Sequence, residues 1–390
     1  MASSWSRLRA GAITLTLFSL AHFLVDVYSG SLGVLQPFLV ARYGLNLSQA
    51  GLIGGLLVFS SSVTQPIYGY LSDRYRSKLF SCLGPAVAGL FILGATMAPG
   101  YGALLALMML GGAGVSAFHP QGSSWSTSGM RGDRGGWMAV FISAGTLGMA
   151  LSPAFFKEVI QRIGVDHLVW AAVPGVLLSV VMLVIVRAPG ETGPRKVRSF
   201  DWAALQAVRG PMTILYLGVF FRSAVQVTYG QFLILYLSRE RHYSLSDAAY
   251  LVTLYLSFGA VGGFLGGHLA ERFGAKRIIV HSFLWSVPCM AVFFLVPGPV
   301  GVASLILGGF ILLFTIPVNV VVAQQLVPSQ AATVSALLMG FAWGMAGMLF
   351  IPLTGWIADH ASLHTALFGL LVFPALGFVL TRRLPEDIGR

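Results

Sequence analysis

Asp26 and Arg222 are the acid and the strong base that lie well inside the long apolar stretches of this chain. At the centre of a membrane-crossing helix each costs about 2.5–3.5 kcal/mol on insertion scales, so such groups face a protein interior and act there. His22 precedes Asp26 by four residues and shares its helical face, where an imidazole can tune a carboxylate that takes up and releases a proton. Gly30, Gly33 and Pro37 continue that face and let it bend or pack closely. Arg222, Gln226 and Tyr229 form a second polar stripe, suited to an anionic ligand or to pairing with Asp26. His119 stands before Pro120, which frees a backbone carbonyl and permits a kink beside a titratable ring. Gln121, Asn319, Gln324 and Gln325 add neutral hydrogen-bonding groups, for which contact between helices is as good an explanation as contact with a ligand. Trp343 can stack on a ligand or simply pack.

The elements that position these residues follow from composition. Hydrophobic residues make up 56% of the 390 positions and charged residues 9%, a balance that a water-soluble domain does not need. Charges are absent from 43–72, 79–130, 135–156, 248–270 and 278–358, and about 20 apolar residues suffice for one helical crossing. Dividing these stretches at Gly/Pro-rich breaks predicts spans near 11–40, 47–71, 79–98, 101–127, 135–159 and 167–187. A second set follows near 211–237, 245–270, 278–297, 299–325, 331–356 and 362–381. The expectation is an all-α integral membrane protein of twelve helices. It has two six-helix bundles, 1–187 and 211–390, joined by a cytoplasmic loop at 188–210.

A formal charge of +11 could suggest a nucleic-acid partner, but position argues otherwise. With the N-terminus inside, 18 of the 24 Lys and Arg fall in cytoplasmic segments, which places both termini in the cytoplasm. Arg7 and Arg9 before an apolar run resemble a signal peptide, yet the run is long and lacks a small-residue cleavage site, so it reads as span 1. Cys82 and Cys289 fall inside spans and suggest neither a disulfide nor a metal site. His22, Asp26 and His119, taken by spacing alone, make a poor metal set unless they have second-shell partners. The expectation is no metal and no cofactor. A short amphipathic stretch at 199–208 is placed on the membrane surface.

The chain also repeats itself. Gly69-Tyr-Leu-Ser-Asp73-Arg74 recurs as Gly267-His-Leu-Ala-Glu271-Arg272, and Leu47-Ser48 recurs as Leu245-Ser246, all at a spacing of 198 residues. A charged hinge of this kind cannot enter lipid and anchors one membrane face, while the glycine lets helices approach closely. The same offset puts Asp26 and Arg222 at nearly equal depth in equivalent helices, and Pro120 near Pro317, one position away.

Twelve spans in two halves with this duplicated hinge resemble the major facilitator superfamily, in which the hinge helps latch the outward-open state. That resemblance implies a conformational latch at Gly69, Asp73, Arg74, Gly267, Glu271 and Arg272. Four further motifs resemble the fosmidomycin-resistance family of bacterial efflux proteins. They are Ser19-Leu-Ala-His22 with Asp26, Phe118-His119-Pro120, Ala323-Gln-Gln325-Leu-Val-Pro328, and Gly340-Phe-Ala-Trp343-Gly-Met-Ala-Gly347 with Ile357-Ala-Asp-His360. Where that family has acids, this chain has Gln121 and Gln325. Gly145, Gly148 and Pro153 loosely resemble the antiporter signature of drug exporters.

The function expected is alternating-access transport of a small anionic or amphiphilic solute, driven by protons through Asp26, His22 and His119. The substrate would be held by Arg222, Gln226, Tyr229, Gln121, Asn319, Gln325 and Trp343. Efflux from a bacterial cytoplasm across the inner membrane leads, and uptake of an organic anion by proton symport is the alternative. A monomer in the lipid bilayer suffices. A GxxxxGK[ST] loop is missing, which argues against ATP drive. A polytopic membrane enzyme or a transporter-like sensor are the other classes, each lacking its expected motif or output domain.

Overall fold

In lipid every backbone N–H and C=O must find a partner within its own segment, which leaves the helix as the local solution for an apolar chain without barrel alternation. The computed structural model describes residues 2–75, 77–127, 134–186 and 202–388, and every regular element among them is helical. Among the described residues, ten segments are long and apolar enough to cross a membrane. In the first half these are Gly11–Tyr43 (span 1), Leu47–Ser72 (span 2), Tyr101–Ser126 (span 4), Gly136–Ile163 (span 5) and Val165–Ile185 (span 6). In the second they are Leu245–Phe273 (span 8), Ala275–Leu295 (span 9), Pro299–Leu326 (span 10), Thr333–His360 (span 11) and Leu363–Thr381 (span 12). Span 3 is shorter, an apolar helix over Gly84–Met97. Span 7 is the 31-residue helix Arg209–Arg239 that carries Arg222. Each of the twelve expected crossings is represented by helix among the described residues.

The repeat is visible in the packing. Span 2 begins its helix at Leu47 and span 8 at Leu245, the spacing seen in the sequence. A Cβ placed at Gly69 would lie 3.6 Å from Pro120, and one at Gly267 would lie 3.8 Å from Pro317. Each hinge glycine therefore sits against the proline of the helix two spans on, and the matched prolines occupy matched environments. Departures from ideal helix are not matched. Span 1 breaks at Ser31, between helices Ala2–Gly30 and Leu32–Tyr43. Spans 2 and 11 each contain a wide π-turn, Phe59–Val63 and Leu337–Ala342. Such turns recur at functional bends in helices.

By contacts the chain divides into two units. One is Met1–Gly44 with Leu56–Pro194, and the other is Leu45–Gly55 with Arg195–Arg390. The sequence division places 45–55 with the first half, whereas contacts place this segment with the second unit. Its first turn is held there by Asp359, whose carboxylate accepts from the Leu47 and Ser48 amides at 2.7 Å each and from the Ser48 hydroxyl at 2.5 Å. An acid that caps exposed amides satisfies both their hydrogen bonds and the positive end of the helix dipole. Gly51 packs directly on the Ile351 carbonyl, where a Cβ would come within 2.7 Å. The expected surface stretch at 199–208 lies partly outside the described residues; its described portion contains a six-residue helix, Trp202–Ala207, with no buried residue.

Candidate functional site

In the first unit, span 1 presents His22 and Asp26 one turn apart, and span 4 brings His119 to the same carboxylate. His22 Nε2 lies 3.4 Å from Asp26 Oδ2, and His119 Nε2 lies 3.5 Å from Asp26 Oδ1. The second nitrogen of each ring faces a backbone carbonyl: His22 Nδ1 is 2.8 Å from Phe141 O, and His119 Nδ1 is 2.8 Å from Val115 O. A carbonyl only accepts, so each Nδ1 carries a proton and each Nε2 is left to face the carboxylate. The His22 ring stacks on Phe141 at 4.3 Å between centroids and meets His119 edge-on at 5.0 Å. Asp26 retains 14% exposure of its side chain and His119 24%, so the carboxylate is recessed yet reachable. A charge-changing group held by two oriented imidazoles can store and pass a proton.

Span 5 makes this seat possible through two glycines. A Cβ at Gly145 would collide with the His22 ring, and one at Gly148 would collide with the Phe23 carbonyl. The small-residue pattern of span 5 is thus a docking groove for span 1. Gly145→Ala is expected to displace the His22 ring at a cost of about 1–3 kcal/mol, as overpacking does elsewhere. Thermal melting of the purified protein reads this directly. Gly230→Ala is the contrast, because a Cβ there meets nothing within 4 Å and should not destabilise. Equal melting temperatures for wild type and Gly145→Ala would show that the ring is not confined.

The second unit contains a different arrangement. Arg222 is 4% exposed on span 7, where its Nη1 donates to Gln226 Oε1 and its Nη2 to Ser223 Oγ, both at 3.1 Å. Its Nε finds no partner, and the guanidinium lies 6.0 Å from the Trp343 ring. Among the described residues it forms no ion pair with a carboxylate of its own unit. Asn319, on the span-10 helix that packs against span 7, is 1% exposed with both amide atoms unpartnered. A buried cation with no carboxylate partner in its unit among the described residues, near an indole face, suits an anion, and the unsatisfied Asn319 amide lies on a helix packed against the same span.

A model of the Major Facilitator Superfamily matches residues 18–339 and, in a second match, 215–388. The chain belongs to the Major Facilitator Superfamily. It is 30% identical to the uncharacterised MFS-type transporter YfnC of Bacillus subtilis (strain 168) over 96% of this chain and 93% of that one. It is 28% identical to the fosmidomycin resistance protein of Escherichia coli (strain K12), covering 99% of this chain and 96% of its relative. A bacterial homologue of the human lysosomal transporter Spinster, solved in an inward-facing and occupied conformation, superposes with a TM-score of 0.80 at 17% identity. That match covers 94% of this chain and 95% of the solved one. These are transporters and not enzymes, and this chain is a multi-pass membrane transporter of the same superfamily.

Several residues expected to contact substrate in this transporter are placed elsewhere. Gln121 is 2% exposed and fully engaged by protein: its Oε1 accepts from the Ser81 amide and hydroxyl, and its Nε2 donates to Ser72 Oγ and Ser77 O. It ties the hinge between spans 2 and 3 to span 4, and has no capacity left for a ligand. Tyr229 is wholly buried, donates to Leu367 O at 3.1 Å and packs on Tyr255 and Phe294. It belongs to the core of the second unit, because the stripe it shares with Arg222 turns inward toward span 12. Gln325 is exposed near the end of span 10, six residues and about 9 Å of helix rise beyond Asn319. Gln324 instead donates to Ser335 Oγ at 2.8 Å. Neither Gln324 nor Gln325 is among the hydrogen-bond partners of Arg222.

Of the superfamily's hinge residues, Asp73 lies outside the described side chains. Arg74 is exposed and donates to Tyr70 Oη at 3.0 Å, and Glu271 and Arg272 are exposed as well. Phe118, Phe141 and Gly145, which shape the seat of His22, were not picked out by titratable chemistry. Phe118 is signalled by the Phe118-His119-Pro120 motif and Gly145 by the Gly145-Gly148 spacing, whereas no sequence pattern marks Phe141.

Proposed function

We propose that this transporter exports a small anionic or amphiphilic solute from a bacterial cytoplasm in exchange for protons. Asp26, oriented by His22 and His119, takes the proton, and Arg222 with Gln226, Asn319 and Trp343 receives the solute's negative charge. The observation that carries this reading is the meeting of two singly oriented imidazoles on the one carboxylate of span 1. The buried, partly unsatisfied Arg222 supports an anionic cargo, and the E. coli relative's stated role in drug resistance supports export.

The remaining assignments belong to the same proposal. The cycle is alternating access by the bundles 1–187 and 211–390, with both termini in the cytoplasm and the inner membrane as the location. A monomer performs the cycle. The hinges at Gly69-Asp73-Arg74 and Gly267-Glu271-Arg272 latch one of its states.

The test is solute-coupled proton movement in proteoliposomes of the purified chain. Addition of fosmidomycin or simple organic anions to one side is expected to discharge an imposed pH gradient, read by a trapped pH dye. Solute flux that leaves the gradient untouched would remove proton coupling from the proposal.

A further inference from the structure

The histidine–aspartate cluster has a geometry that proton handling alone does not require. Ligand atoms of His22, Asp26 and His119 all lie within 4.8 Å of one another. Both Nδ1 atoms are committed to backbone carbonyls, Phe141 O and Val115 O, at 2.8 Å. In their neutral form the rings aim two Nε2 lone pairs at the carboxylate, an arrangement that a cation between them satisfies, whereas a protonated ring donates its Nε2–H to the same carboxylate. The Nε2–O separations of 3.4 and 3.5 Å exceed the 2.7–2.9 Å of a charge-assisted hydrogen bond. Each is close to the edge of a ligand tetrahedron, about 3.3–3.4 Å for bonds of about 2.0–2.1 Å, and the two end on different oxygens of the carboxylate, so a small shift of the Asp26 side chain brings one oxygen to both rings.

We propose that His22, Asp26 and His119 bind a divalent transition-metal ion of the zinc class, with a fourth coordination position left open. Two imidazoles and one carboxylate select zinc, cobalt or nickel over magnesium and calcium, which favour all-oxygen sites. By spacing the trio lacked second-shell partners, and the fold supplies them: one carbonyl from span 5 and one from span 4, each fixing a ring in its ligating tautomer. The Phe141 face and the space left by Gly145 hold the His22 plane. Asp26 and His119 keep 14% and 24% of their side-chain surface exposed. A bound ion ties span 1 to span 4. It also occupies the carboxylate to which the export reading gives the proton, so the ion stops transport; that inhibition, unlike binding, rests on the export reading.

The experiment uses the full-length untagged chain in detergent, stripped with a chelator and titrated with zinc by calorimetry. One site per chain is expected, with no response to magnesium. Asp26→Asn and His119→Gln should each weaken it by at least about tenfold, while the exposed His360→Gln should not. Because a triad variant could fail to fold, the wild type is also titrated with cobalt(II), whose visible absorption is intense in a four-coordinate site and weak in a six-coordinate one. Intense absorption displaced by zinc supports the proposal. No zinc binding by wild type, equal affinity in folded triad variants, or weak six-coordinate cobalt absorption overturns it. None of those failures touches proton-coupled export, which the flux assay reads on its own.

Discussion

Asp26→Asn abolishes uphill transport driven by an imposed pH gradient and leaves downhill solute exchange in place. The expectation follows from the position of the carboxylate. It sits within span 1, in contact with His22 and His119, each already anchored by its other nitrogen. Asparagine keeps the shape and much of the hydrogen bonding but cannot change charge, so the solute site can still be visited from either side. What disappears is the link to the gradient. One charge moved through 100 mV is worth about 2.3 kcal/mol, which sustains a solute gradient of about 50-fold. Wild-type proteoliposomes should approach such accumulation and the variant should stop at equilibration, measured with labelled solute and with counterflow as the control. Accumulation by Asp26→Asn equal to wild type would assign coupling to another group.

Arg222→Gln weakens binding of an anionic solute by roughly 10- to 150-fold, the loss of one charged hydrogen-bonding partner worth about 1.5–3 kcal/mol. The same substitution is expected to raise the melting temperature of the empty protein. Arg222 is buried with Nε unsatisfied and no carboxylate partner in its unit among the described residues, so its charge carries a desolvation cost of several kcal/mol. A substrate site bears such a cost until the anion arrives. A structural ion pair behaves in the opposite way, because removing one member strands the other. Lower binding together with higher thermal stability is therefore the signature of a site, whereas a lowered melting temperature would recast Arg222 as one member of a structural ion pair. Arg222→Lys separates charge from shape: lysine keeps the positive charge but loses the planar fork that reaches Gln226 and Ser223 together, and should recover only part of the affinity.

Much of this protein was legible before any fold was known, for a physical reason. A bilayer tolerates few charges and no unsatisfied backbone, so hydropathy and charge gaps alone mark the spans and the bundle architecture. The spacing of 198 residues between the hinges likewise anticipates the matched packing of Gly69 on Pro120 and of Gly267 on Pro317. Depth in the membrane is a one-dimensional property, and His22 with Asp26 needed only helical periodicity to be placed on one face. Which way a stripe faces is not one-dimensional. Tyr229 shares the stripe of Arg222 and yet donates into the core, and Gln121 is consumed by Ser72, Ser77 and Ser81 across a loop. No local pattern distinguishes these polar residues from ligand-facing ones, because satisfaction depends on partners distant in the chain.

By itself the sequence determined the twelve helices, the duplication, the superfamily resemblance, and the identity of the charges that lipid would not accept without a purpose. Only the tertiary structure decided what those charges meet. It joined His119 to Asp26 across 93 positions, aimed both imidazoles by carbonyls on separate helices, and opened room for His22 at Gly145. The difference lies in range: insertion energies act residue by residue along the chain, whereas ligand geometry, tautomer and counter-charge are set by neighbours that only packing brings within a few ångströms.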